Sequence, residues 1–517
     1  LLRQLFPSKT VALLKGRANY LCRYRLDSNL AVIQGSGRLL AGLTKIRTWS
    51  TYTKTGDLTE LVDSEEDMRL LPMVSSTRDN CLGTKCPEFS GCALYRAREV
   101  ASRADIVVVN HHLLFADLAQ KEENLGNILP RADVFIVDEA HQVPDVARQF
   151  FGQRVSSAQL AELGRDSRSE LALLGNDDPV TLAAIERYEV IVGRFRDKIL
   201  QSSEADFGIW RDGISDNIIL EVDDELAELN VQLLRVQDRS EGLAQCLQRT
   251  TRFADLFALL TEKNHHEGDT VHWIERHERG FVLHLSPLSV ANQMKALVQV
   301  QGKSWIFTSA TLSVDKKFDH FKGELGLSDE ETSIFDSPFD YENAVRAYVP
   351  VGLPEPMDET HTEQLVNQVL PLIDANPGRT FFLFTSHRAL AIAAACMKGI
   401  SQPIFAQGTL PKTQLLQAFR DTPNSILLAT MGFWEGVDVR GADLKCLIID
   451  KLPFPNPRDP LFSAQAKLID KAGGTSFVEL SLPKAVISLK QGFGRLVREE
   501  TDRGLFVIGD VRLLSRG

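Results

Sequence analysis

Val134-Phe135-Ile136-Val137 is an apolar run that ends on two adjacent carboxylates, Asp138 and Glu139, followed by Ala140 and His141. At the end of a buried strand such a pair divides phosphoryl-transfer work: Asp138 holds Mg²⁺, directly or through water, and Glu139 polarises the water that attacks a γ-phosphate. A surface acidic turn before a helix would carry the same letters, so the pair gains meaning only from partners. Near the other end, Gln491-Gly492-Phe493-Gly494-Arg495-Leu496-Val497-Arg498 sets two arginines three residues apart. Such a pair alone more often forms a solvated face; on one helical face it can also point across a cleft to a transferring phosphoryl group, a role that the order of motifs below favours, with Arg498 as the finger, Arg495 as its partner and Gln491 as a polar contact.

A second chemistry rests on thiols. Seven cysteines in 517 residues are too few for a disulfide scaffold. Cys246, Cys396 and Cys446 stand alone in apolar contexts and read as small buried hydrophobes. Cys81, Cys86 and Cys92 instead share a loop rich in Gly, Pro and polar residues, and Cys22 is the remaining thiol upstream of it. Four thiols on one small domain suit a four-iron cluster or a tetrahedral zinc ion. Structural zinc more often uses close pairs, whereas here one thiol is remote.

Positioning these groups requires a scaffold. Short β-branched runs at 10–14, 106–110, 134–139, 305–310, 381–386, 426–430, 444–450 and 505–510 each leave their carboxyl end at a polar signature. Continuous apolar runs of this length, separated by helical stretches, describe central strands of parallel sheets, with function at the carboxyl ends. Between 142 and 290 the pattern changes to long amphipathic stretches such as 218–247, with a strand only at 281–285. This inserted helical domain holds 16 basic and 26 acidic residues, 16 − 26 = −10 of the whole chain's −11. A protein with that balance, 44% hydrophobic and 25% charged, is neither a basic nucleic-acid coat nor disordered. No apolar run reaches the roughly 18 to 20 residues that cross a bilayer, and the default location is cytoplasmic. One local excess stands out: eight basic residues against one acid over 15–54, which either track a phosphate backbone or form a solvated face.

The chemistry-bearing blocks come in a fixed order. After the Asp138-Glu139-Ala140-His141 strand follow Thr308-Ser309-Ala310-Thr311, Phe384-Thr385-Ser386, Ala429-Thr430-Met431-Gly432-Phe433-Trp434-Glu435-Gly436-Val437-Asp438, and the Gln491 to Arg498 block. The series resembles motifs II to VI of superfamily 2 helicases. A cysteine domain before the DEAH strand and a helical insert after it resemble the XPD-like iron-sulfur helicases. Lys15 to Cys22, Val109-Asn110-His111-His112-Leu113-Leu114 and Phe433 to Asp438 are similar to the bacterial DinG/YoaA branch.

The resemblance implies an α/β fold with two RecA-like parallel-sheet motor domains, the first from 1–15, 104–141 and 286–320, the second from 321–517. It implies an iron-sulfur domain at 16–103 and a mainly helical arch at 142–285. It implies a [4Fe-4S] cluster on Cys22, Cys81, Cys86 and Cys92, ATP with Mg²⁺ on Asp138, and 5′ to 3′ movement on single-stranded or forked DNA alongside replication or repair proteins. By the same resemblance Ser309 and Thr311 couple nucleotide state to strand movement, Ser386 and Asn110 serve coupling or DNA contact, and His141, Gly436 and Asp438 lie at the nucleotide. Trp434 stacks on a base or fills the core. The loop G-x-x-x-x-G-K-[ST] is absent: five residues before Gly302-Lys303-Ser304 stands Leu297, and a strand follows. The simplest expectation is that this loop, with its strand and first helix, precedes Leu1. The rival reading is a non-catalytic nucleic-acid-binding protein with a structural metal.

Overall fold

Phe381 and Leu383 pack into one apolar cluster while Phe382 and Phe384, the alternate residues of the same strand, pack into another. Side chains alternate faces along a strand, so this segment is the middle of a sheet covered on both sides. The computed structural model describes residues 2–32, 37–61, 65–122, 128–175, 178–202, 207–209, 214–261, 269–300, 303–433, 444–497 and 499–515. The chain divides into two units, one of 1–308 with 324–327 and 457–465, the other of the remaining residues.

The strands of the first unit are β1 (Val11–Leu13), β2 (Ile106–Val108), β3 (Val134–Val137), β4 (Gln153–Ser156), β5 (Phe207–Ile209), β6 (Thr270–His277), β7 (Gly280–Pro287) and β8 (Ser304–Phe307). β1 pairs with β2 and β3 with β8, both in parallel. On one face of β3 and β8 Phe135 stacks on Trp305 at 4.4 Å. The opposite face leaves Val134, Ile136 and Ile306 51%, 69% and 50% exposed, an apolar surface that parallel strands ordinarily bury.

Helices Arg23–Val32, Gly37–Ser50, Glu65–Val74 and Ala93–Ser102 build the cysteine-bearing part around Leu26, Leu43, Ile46, Trp49 and Val74. Gly56 has φ +66°, and a Cβ there would meet the Cβ of Ala93 at 2.5 Å, so only glycine lets the two segments approach. Seven of the eight basic residues at 15–54 interact within the protein, among them Lys15 with Asp57, Arg17 with the Thr77 carbonyl, Arg23 with the Ser50 carbonyl, Arg25 with Glu162 and Asp166, and Arg47 with Asp27. Much of that charge serves packing.

The insert packs helices Ser157–Leu173, Pro179–Ser202, Asp216–Val236 and Glu241–Thr261 on a core that includes Tyr188, Phe195, Leu226, Phe253 and Phe257. A capping box, Ser156 with Gln159, starts the first of them. The insert also holds a four-stranded sheet in the order β4-β7-β6-β5, antiparallel throughout. Only β7 is legible as a strand from the sequence. In β6, Val271 and Trp273 lie on a half-exposed face among His, Glu and Arg, so the period-2 signal is weak.

The second unit contains β9 (Val345–Tyr348), β10 (Arg379–Phe384), β11 (Ile404–Ala406), β12 (Ile426–Thr430), β13 (Leu444–Ile449) and β14 (Gly504–Ile508). They form one parallel sheet in the order β11-β12-β10-β13-β14-β9. Helices His361–Ala375 and His387–Cys396 cover one face, Lys412–Asp421 and Leu482–Phe493 the other. The α/β class is as expected. Cys246 and Cys446 are buried, but Cys396, the last residue of its helix, is exposed. No helix among the described residues is long and apolar enough to cross a membrane.

Candidate functional site

The carboxyl end of β3 is tied to the segment after β8: the Thr308 N–H donates to the Val137 carbonyl (2.9 Å) and the Ala140 N–H to the Thr308 carbonyl (3.0 Å). Between those bonds Asp138 and Glu139 are both exposed. Glu139 takes φ 49°, ψ 42°, a left-handed backbone that costs a non-glycine residue free energy and that recurs where function fixes a side chain. Its carboxylate lies 3.4 Å from His141 Nδ1. His111 Nε2 donates to the Asp138 carbonyl at 2.7 Å, which sets the tautomer of that ring. Burial holds His141 and His112 below the ordinary histidine range, so His141 is a neutral imidazole beside Glu139 at neutral pH. An exposed carboxylate pair beside a neutral imidazole can hold a divalent cation and accept a proton from water. Asn110 caps the helix His111–Glu122 through its side-chain oxygen, 2.9 Å from the Leu113 N–H.

In the second unit Ser309 and Thr311 face each other, hydroxyl to hydroxyl at 3.3 Å, with the Thr311 N–H on Ser309 Oγ. Ser386 caps the helix His387–Cys396 by accepting the Ala389 N–H at 3.2 Å. Gln491 is on the helix Leu482–Phe493, but that helix stops before Arg495. Gly494 is its cap, the Arg495 N–H turns back to the Gly492 carbonyl, and Leu496 drops into the core. Arg495 therefore sits in a turn just past the helix. Arg498, Gly436, Asp438 and Trp434 lie outside the described residues.

Two aspartates that motif reading passed over stand at strand ends. Asp450, after β13, is fully buried and accepts the Thr385 N–H (2.9 Å) and hydroxyl (3.2 Å); burial pushes its carboxyl up to about 7. Asp510, after β14, is equally buried, yet bonds from Arg512 and the Leu452 N–H outweigh burial and hold it below the usual range. Apolar runs ending in Asp were the available signal.

Cys22, Cys81, Cys86 and Cys92 are half-buried and free. Burial pushes the Cys22 thiol up to about 11, with the negative charges of Cys86 and Cys81 adding to it. Cys86 is raised by burial, with Cys81 and Cys92 adding. Cys86 thus lies within electrostatic reach of the other three thiols, although no three His, Cys, Asp or Glu side chains among the described residues are grouped to hold a single metal ion.

Residues 369–517 match the model of the helicase C-terminal domain, and residues 57–160 match the DEAD_2 model. The ATP-dependent DNA helicase YoaA of Escherichia coli is 41% identical over 98% of this chain and 80% of its own length. YoaA of Haemophilus influenzae is 40% identical with the same coverage. The ATP-dependent helicase DinG of Mycobacterium tuberculosis is 31% identical over 98% of this chain and 78% of its own. A solved XPD helicase covers 98% of this chain and 84% of its own at a TM-score of 0.57 and 13% identity, a likeness of fold. Identity at this level across nearly the whole chain, together with the β3 carboxylate pair and the six-stranded parallel sheet, places the chain in the XPD-like superfamily 2 helicases, in the branch that holds YoaA and DinG.

Proposed function

We propose that this ATP-dependent helicase moves 5′ to 3′ on single-stranded DNA, opens forked duplexes in repair or replication-fork maintenance, and carries a [4Fe-4S] cluster on Cys22, Cys81, Cys86 and Cys92. The observation that carries the motor reading is the exposed pair Asp138 and Glu139 at the end of β3, with Glu139 held in a left-handed backbone against His141. In this reading Asp138 holds Mg²⁺ and Glu139 takes the proton of the attacking water. Arg495 and Arg498 offset the charge developing on the phosphoryl group, with Gln491, Gly436 and Asp438 as nucleotide contacts. Ser309 and Thr311 relay nucleotide state, and Ser386 and Asn110 serve strand contact through the helices they cap. Affinity for DNA comes from phosphate and stacking contacts and is sequence-tolerant and salt-sensitive.

The donor set supports the cluster. All four candidate ligands are half-buried thiols, and Cys86 is within reach of the charge of the other three. The cluster would supply a rigid tie between the Cys22 segment and the Cys81 to Cys92 loop.

The test uses full-length protein purified without oxygen. About four iron per chain, hydrolysis of ATP stimulated by single-stranded DNA, and unwinding of 5′-tailed but not 3′-tailed duplexes are expected. Zinc in place of iron, or hydrolysis indifferent to DNA, overturns the reading. Cys81→Ser should remove visible absorption and unwinding together; unwinding without iron would show that the cluster does not position the separating element.

A further inference from the structure

Three strands of the six-stranded sheet are followed directly by an acceptor that holds the turn of a neighbouring strand. Gln407, after β11, takes the N–H (2.8 Å) and the hydroxyl (3.0 Å) of Thr430 at the end of β12. Asp450, after β13, takes the N–H (2.9 Å) and the hydroxyl (3.2 Å) of Thr385, which follows β10. Asp510, after β14, takes the Leu452 N–H (2.9 Å). Gln407 is neutral and half-buried, and Asp510 is matched by Arg512 at 2.6 Å. Asp450 differs. It is fully buried and makes no salt bridge among the described residues, and Lys451, whose charge acts on it, donates its Nζ to the Pro356 carbonyl. A buried carboxylate without a cation costs more free energy than a neutral side chain of its shape, so stability is a poor account of Asp450.

Its bonds lead outward. Thr385, Ser386, His387 and Arg388 are all exposed at the carboxyl edge of the sheet, where parallel sheets bind their ligands, and Ser386 caps the helix His387–Cys396. The residue beneath them is anchored: the Asp450 N–H donates to the Leu383 carbonyl (2.9 Å), and Gly509 packs so close that a Cβ there would stand 2.7 Å from the Asp450 carbonyl oxygen. We propose that Asp450 is a positioning residue for the DNA strand: through the N–H and hydroxyl of Thr385 it fixes the turn that leads into the helix His387–Cys396, where the strand is met. This rests on the strand contact proposed above for that helix. A turn held in place before DNA arrives need not be ordered on binding, so the effect falls on affinity for the strand and not on the hydrolytic step.

The experiment is ATP hydrolysis by full-length protein, titrated with single-stranded DNA at pH 8, above the raised carboxyl value of about 7. Asp450→Ala should raise the DNA concentration for half-maximal stimulation about tenfold, with the rate at saturating DNA within about twofold of wild type. Asp450→Asn keeps an oxygen for the Thr385 N–H and should stay near wild type. Thr385→Val should move the half-saturation in the same direction and Thr385→Ser should not. The double variant of Asp450→Ala with Thr385→Val should be no weaker than Asp450→Ala, because the two groups act as one. Ser425→Ala is the control. That hydroxyl is buried just before β12, at the amino edge of the sheet, on the Phe419 and Thr422 carbonyls (3.2 and 2.8 Å), and its loss should lower the melting midpoint without moving the half-saturation.

A lowered saturated rate with unmoved half-saturation in D450A, additive effects in the double variant, or an equal shift in S425A overturns the proposal. If D450A does not fold, Thr385→Val decides, and a half-saturation equal to wild type overturns it. An unmoved D450A beside a weakened Ser386→Ala overturns the proposal alone, whereas both unmoved overturns the strand contact beneath it as well.

Discussion

Arg249→Met tests how the insert is held to the cysteine-bearing part. Arg249 is 3% exposed on the insert helix Glu241–Thr261, and it bonds Asp166 at 2.6 Å with Glu162 at 3.9 Å. From the other side Arg25, on the helix that starts directly after Cys22, bonds Glu162 at 3.0 Å and Asp166 at 2.9 Å. Two cations and two anions balance in a site beside a cavity of about 30 Å³, room for one water, lined among others by Tyr24, Asp166, Gln245 and Arg249. Methionine keeps the bulk and removes one charge. Breaking a buried pair by deleting one partner costs roughly 3 to 5 kcal/mol, because the remaining charge stays buried and uncompensated. At about 2 to 4 °C per kcal/mol for a unit of 150 to 250 residues, the first melting transition should fall by roughly 6 to 20 °C.

The assay is circular dichroism melting of full-length protein, read at the first transition because a chain of several domains does not melt in one step. Asp166→Asn in the Arg249→Met background restores one cation to one anion and should recover more than half of the loss. Glu162 supplies a pH signature. Burial, with the charge of Asp166 adding, raises its carboxyl above the ordinary value, so the folded state binds that proton more readily than the unfolded one. Its contribution is present below the ordinary glutamate pKa and lost as pH rises through the raised one. Removing a cation raises it further, so the deficit of Arg249→Met should shrink on acidification. A midpoint within 2 °C of wild type, or a double variant no better than the single, would falsify the reasoning.

Three further outcomes are expected. Glu139→Gln should reduce DNA-stimulated ATP hydrolysis by about two to four orders of magnitude while leaving binding of single-stranded DNA intact, read by phosphate release and fluorescence anisotropy. Asp450→Asn should flatten the pH dependence of stability between about pH 4 and 7: the aspartate, raised from 3.8 to about 7, gives its contribution when protonated and loses it as pH rises through that window. Melting midpoints at pH 5 and pH 8 measure this. Ser156→Ala removes the cap that accepts the Gln159 N–H at 3.1 Å and should cost about 1 kcal/mol, seen as a lower first melting transition.

What the sequence made legible follows from where a single physical signal decides. β10, β12 and β13 are apolar on both faces because helices cover both, so their runs are continuous and cannot be mistaken. β9 and β11 stand at the two edges of the same sheet, carry fewer apolar residues, and pass unnoticed. Motif order located Asp138 and Glu139, since residue type and strand end coincide there, but not the left-handed backbone at Glu139, which needs the bond from Ala140 to Thr308 of a distant segment. It also placed Arg495 on a helix that Gly494 ends, because helical spacing says nothing about where Leu496 must turn to reach the core. The same limit governs the cysteine domain. Spacing grouped Cys81, Cys86 and Cys92 and the resemblance added Cys22, whereas the balance of Arg25, Arg249, Glu162 and Asp166 joins residues 83 to 141 positions apart and belongs to packing alone. A charge excess counted along the chain is therefore weak grounds for a phosphate track: most of the eight basic residues at 15–54 already interact within the protein, several with its carboxylates or carbonyls.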